Sequence, residues 1–119
     1  MSTSDRAAEL LARAKEIGAY AAELELGIAK SGSKPDDLIH HLGDDTGRVI
    51  TDAYRLAGAG LAAEVVDAYL VSFNAARARA GWAPLSREDA IHNLQWAILP
   101  QGITAEEQQE VRAAFSARG

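Results

Sequence analysis

From Leu10 to Ile28 apolar residues recur at alternating spacings of four and three: Leu10, Ala14, Ile17, Ala21, Leu24 and Ile28. That spacing draws one apolar, partly alanine-lined seam along a helix of about seven turns, and such a seam is stable only against another helix. It predicts a first helix from a cap near Ser4 to about Lys30, where Ser31-Gly32-Ser33-Lys34 supplies a flexible stop. The alanines at 14 and 21 allow a partner helix to come close, within the chain or across a dimer axis.

Pro35 suits the first position of a second helix, with Asp36 and Asp37 in its first turn opposing the positive end of the dipole. Leu38, Leu42, Val49, Ala53 and Leu56 then keep one phase through to about Ala57. Inside that stretch Gly43-Asp44-Asp45-Thr46-Gly47 is a run of weak helix formers, and each glycine costs on the order of 1 kcal/mol relative to alanine. A continuous but distorted helix is the expectation. Gly58-Ala59-Gly60 ends it, and Leu61 to Ala80 forms a third helix with Val65, Val66, Tyr69, Phe73 and Ala76 facing inward.

Gly81-Trp82-Ala83-Pro84-Leu85 reads as a loop, and Ser86 with Asp89 approximates a capping box for a fourth helix. That helix carries Ile91, Leu94 and Ile98 inward and stops at Pro100-Gln101-Gly102. Thr104 with Glu107 is a full capping box, opening a last helix whose thin apolar stripe is chiefly Val111 and Phe115. β-branched residues nowhere alternate at period two. The expected fold is therefore all-α, four main helices packed as a bundle plus a short C-terminal fifth helix, with residues 1–119 forming one domain.

Composition narrows the function by exclusion. The chain has no cysteine, which removes disulfides, a thiolate nucleophile and Cys-ligated zinc. Its apolar runs are far short of the roughly 20 residues of a membrane span, and its start lacks the basic region and apolar block of a secretion signal, so a cytoplasmic protein without a membrane partner is expected. The formal net charge is -5 with arginines scattered among acids, so nucleic acid is not an expected partner. A helix-turn-helix over Ser86 to Arg118 fails for the same reason, because its second helix opens on Glu106, Glu107 and Glu110.

One stretch has the composition of a metal or proton-transfer site: Asp37, His40, His41 and Asp44 lie at three- and four-residue spacing on a helix, as a divalent ion would require. Asp37-x-x-His40 and Asp89-x-x-His92, with Glu23 and Glu64 from other helices, also follow the ligand plan of carboxylate-bridged di-metal bundles. Helical phase opposes both. At 100° per residue Asp37 and His40 fall well away from the face of Leu42, Val49 and Ala53, and Asp89 and His92 fall opposite Leu94. The simpler reading of these residues is a solvated ladder of His40, Asp44, Arg48 and Asp52.

Nucleophilic catalysis has no local signature: Ser72 lies within the third helix, and Ser86 and Thr104 serve as caps. A small apolar ligand between the helices near Tyr69 and Phe73 is a weaker option. What remains is apolar surface beyond the seam: Leu11 and Leu26 on the first helix, and His92, Trp96 and Leu99 on the fourth. The sequence thus points to a non-enzymatic interaction or adaptor module without a cofactor, binding another protein or a second copy of itself through a helical surface. The metal-binding helical protein is the alternative.

Overall fold

The computed structural model describes residues 2–33, 35–90 and 102–118. Its elements are α1 (Thr3–Ser31), α2 (Asp36–Ala57), α3 (Ala59–Arg79) and a C-terminal helix (Ala105–Arg118), with one further helical turn at 87–90. Every regular element among the described residues is helical. The three long helices pack together, α1 chiefly on α3, and the C-terminal helix lies on α3. The fourth-helix positions Ile91, Leu94 and Ile98 lie outside the described residues.

The N-cap of α1 is Ser2, two residues before the expected Ser4. The Ser2 hydroxyl accepts the Asp5 N–H at 3.1 Å while the Asp5 carboxylate accepts the Ser2 N–H at 3.4 Å. Ser2-x-x-Asp5 is therefore a reciprocal capping box, which satisfies two backbone donors where Ser4 would satisfy one. At the other end Gly32 adopts a left-handed conformation, φ 72°, and its N–H closes the helix on the Ile28 carbonyl at 2.8 Å.

The seam holds over its first half: Leu10, Ala14, Ile17 and Ala21 are buried, joined by Gly18 and Ala22. Leu24 and Ile28 are only half-buried. The helix meets α3 most closely at Gly18, where an added Cβ would stand 2.3 Å from the Tyr69 carbonyl oxygen. No side chain fits there. Beside this contact the Ser72 hydroxyl donates to the Lys15 carbonyl at 2.6 Å, a second tie between the same two helices.

α2 runs unbroken through Gly43 to Gly47, and both glycines are buried together with Thr46, Ile50, Thr51 and Ala53. Of the five weak formers Gly43, Thr46 and Gly47 thus lie on the packed face, where small residues suit tight contact, while Asp44 and Asp45 are half-buried. The Thr46 hydroxyl donates back to the Leu42 carbonyl at 2.7 Å, which satisfies this buried polar group. Leu38, expected inward, is 43% exposed. The buried face centres near Thr46 and Ile50, and at 100° per residue Leu38 falls beyond its edge.

α3 starts at Ala59, after Gly58 turns the chain at φ 82°. Val65, Val66, Phe73 and Ala76 are buried as expected, with Leu61, Ala62, Ala63 and Leu70, whereas Tyr69 is half-buried. The rings of Tyr69 and Phe73 stack with centroids 5.9 Å apart. Burial raises the Tyr69 phenol to about 12, and the Glu25 carboxylate adds to the effect.

Two arginines anchor the chain beyond α3. The Arg77 guanidinium lies over Phe73 and Trp82, 5.5 and 5.2 Å from their centroids, pairs with Glu25, and donates to the Ala83 carbonyl at 2.8 Å. Asn74 holds the same loop by reciprocal hydrogen bonds with the Leu85 backbone, 3.1 and 2.8 Å. Arg87 pairs with Asp67 of α3, donates to the Phe115 carbonyl at 2.5 Å and lies 3.9 Å over the Phe115 ring. Arg118 reaches the second Asp67 oxygen at 2.6 Å.

Both later caps form as the sequence suggests. The Ser86 hydroxyl accepts the Asp89 N–H at 3.1 Å, and Thr104 and Glu107 exchange bonds of 3.1 and 2.8 Å. The C-terminal helix buries Gln108, Val111 and Phe115. Full burial of apolar side chains such as Val111 and Phe115 contributes on the order of 1.5 to 3 kcal/mol each. Tyr54 of α2 adds a polar tie by donating to Glu110. That bond, ahead of desolvation, pushes the Tyr54 phenol up to about 12.

Candidate functional site

α1 and α2 meet in a ladder with seven-residue steps. Arg6 Nη2 lies 3.6 Å from Asp52 Oδ2, and Arg13 Nη2 lies 3.6 Å from Asp45 Oδ2. One further heptad along α1 is Tyr20, and one heptad back along α2 is Leu38. These two line the same groove. The opposite numbering of the rungs makes the helices antiparallel here, and heptad spacing keeps successive rungs on one edge.

Two rungs are ion pairs and the third is not. Over the ion-paired rungs the cleft is an opening of about 320 Å³ with Leu10 and Val49 at its base. Past Arg13 it widens to about 440 Å³, lined by Ile17 and Leu42 and flanked by Glu16, Tyr20, Leu38, His41 and Asp45. Tyr20 is 44% and Leu38 43% exposed, so this rung presents apolar surface to water where the other two present charge. A groove of this volume is in the range that admits side chains of a partner.

The charges around the open rung are unequally committed. Arg13 is 3.6 Å from both Glu16 and Asp45, and Arg48 is 3.7 Å from Asp45. Each of these pairs is solvated and contributes on the order of 1 kcal/mol or less, so they set register more than stability.

The sequence-derived candidates distribute differently. His40 Nε2 is 3.8 Å from Asp44 Oδ2, and the His40 side chain is exposed, as are Asp37 and His41. Only His41 of this set lines the groove. Among the described residues no group of three His, Asp or Glu side chains is arranged to hold a metal ion. The solvated ladder forms in part: His40 meets Asp44, but Arg48 turns to Asp45, and Asp52 reaches across to Arg6.

Leu11 is half-buried against the main core and Leu26 is half-buried on α1. His92, Trp96 and Leu99 lie outside the described residues. Ser72, Ser86 and Thr104 all have hydroxyls engaged with backbone. Between the helices beside Tyr69 the cavity is about 10 Å³, room for about one water and not for an apolar ligand.

Arg13, Tyr20 and Leu38 are the residues that periodicity within single helices does not single out as a site. Their signal lies between segments: Arg6, Arg13 and Tyr20 step by seven while Asp52, Asp45 and Leu38 step back by seven. No helix among the described residues is long and apolar enough to cross a membrane. In comparisons with known proteins the chain matches no family model, no curated protein and no solved structure.

Proposed function

We propose that this chain is a non-enzymatic interaction module, a single bundle domain of the cytoplasm that engages a protein partner through the open end of the α1/α2 groove. The carrying observation is the exposed Tyr20 and Leu38 rung at the end of a ladder whose other rungs are closed by ion pairs. Apolar side chains at the mouth of a preformed cleft give a partner something to bury, and burial of such anchors supplies most of the energy of an interface. The closed rungs hold the two walls in register, so little ordering is needed on binding.

Site-specific photo-crosslinking tests the reading. A photoreactive residue at position 20 or 38 forms a discrete protein adduct in cells, whereas the same residue at Val71, which is 66% exposed on α3, forms none. Equal labelling at all three positions, or none at 20 and 38, refutes it. Light scattering of the purified chain then separates a foreign partner from a second copy.

A further inference from the structure

The charge around the open rung specifies the occupant. Resting on the interaction reading above, we infer that the groove receives one face of a basic amphipathic helix from another protein. Its apolar residues pack between Tyr20 and Leu38, and its lysines or arginines face the acidic rim.

From Asp36 to Gly47, α2 carries four aspartates and no lysine or arginine. Asp37 and Asp44 sit on α2 beside the groove residues Leu38 and His41, and Glu16 and Glu23 extend the same sign along α1. The one arginine lining the open end, Arg13, is shared between Glu16 and Asp45. Within the lining Arg13 and its two carboxylates, Glu16 and Asp45, are thus paired with one another, so an anionic ligand finds no free cation there; the carboxylates open to a cationic ligand are at the rim, where the exposed Asp37 and Glu23 make no ion pair among the described residues. The overall charge of -5 extends this preference to long range and favours encounter with a basic partner.

The same charges oppose a second copy. In a two-fold dimer each patch meets its own image, so Glu16 and the α2 aspartates would approach their equivalents. Like charges brought together at an interface disfavour that pairing. Shape agrees with a helical occupant: the cleft is walled by two antiparallel helices and floored by Ile17 and Leu42, the form that accepts anchors spaced at i and i+3 or i+4. The Arg13–Asp45 pair closes the far end, so the occupant seats over the outer rung.

Three model peptides that share one leucine stripe on a helix, with flanking positions all lysine, all glutamine or all glutamate, are titrated against the full chain by fluorescence anisotropy. The expected order is lysine over glutamine over glutamate, with about tenfold between the first and last and a loss of about tenfold for the lysine peptide from low to high salt. Leu38→Ser weakens all peptides, Glu16→Gln with Asp37→Asn weakens the lysine peptide alone, and Val71→Ser changes nothing. All these positions are exposed, and circular dichroism verifies that each variant folds.

Equal binding of the lysine and glutamine peptides overturns the charge inference and leaves the groove as a docking site. If no peptide binds and light scattering finds a dimer that Leu38→Ser dissociates, the occupant is a second copy and the inference falls. Absence of both removes the groove reading as well.

Discussion

Gly18 lies against the backbone of Tyr69 so closely that an added Cβ would stand 2.3 Å from the carbonyl oxygen and 3.0 Å from the carbonyl carbon. Backbone cannot swing aside as a flexible side chain can. The α1/α3 spacing is therefore set by a hydrogen atom.

Replacement of Gly18 by alanine is expected to destabilise the protein by about 1 to 3 kcal/mol, the range for overpacking, despite the better helix propensity of alanine. Gly27 is the control, since nothing approaches its Cβ position within 4 Å. Gly27→Ala should stabilise by about 0.4 to 1 kcal/mol. Urea unfolding of the two variants gives opposite signs. Equal signs refute the assignment of Gly18 as the close contact.

Arg87 joins α3, the turn at 87–90 and the C-terminal helix through three kinds of contact. A lysine retains the charge but cannot reach Asp67 and the Phe115 carbonyl as a planar fork does. Both Arg87→Lys and Arg87→Met are expected to destabilise, by about 1 to 3 kcal/mol for the latter. Hydrogen exchange should accelerate first in Ala105–Arg118. A uniform acceleration over α1 and α2 contradicts a local role.

Asp67 carries the clearest acid-side linkage. Burial opposes its ionisation, but hydrogen bonds from Arg118 and then Arg87 overcome this and hold the carboxyl below its ordinary value of 3.8. For a carboxyl lowered on folding, the stabilisation is fully present above the unfolded value and disappears as pH falls through the folded one. Asp67→Asn should therefore be less stable than the native chain at neutral pH, with the difference shrinking below about pH 3.8. Thermal melts at stepped pH measure it, and a difference that persists unchanged into strong acid argues against the linkage.

Thr51 is 2% exposed and its hydroxyl has no hydrogen-bond partner among the described residues. An unsatisfied buried hydroxyl costs about 1 to 3 kcal/mol, and a methyl of similar size does not carry that penalty. Thr51→Val is expected to raise the denaturation midpoint without a change in its slope. A lower midpoint assigns the hydroxyl a partner.

Much of the architecture was legible because it rests on local chemistry. The Thr104 and Glu107 box, the break at Gly58, the loop after Gly81 and the inward face of Val65, Val66 and Phe73 each depend on residues within a few positions of one another. Continuity of α2 through Gly43 and Gly47 followed from the apolar phase on either side, but their burial did not, because a glycine that weakens an isolated helix is indistinguishable in sequence from one on a packed face. Arg87 was silent because its partners, Asp67 and Phe115, lie 20 and 28 residues away. At the candidate site His41 was named from its neighbours, whereas Tyr20 and Leu38 gain meaning only once α1 and α2 are set side by side.

The ladder between those two helices acts as a vernier. Sliding α1 one heptad so that Arg13 met Asp52 would keep a single ion pair, strand Arg6 and press Tyr20 against Asp45, and the opposite slip would set Arg13 on Leu38. Either mistake is worse than the native alignment, so the chain selects its own offset and delivers the apolar notch to the same end in every molecule.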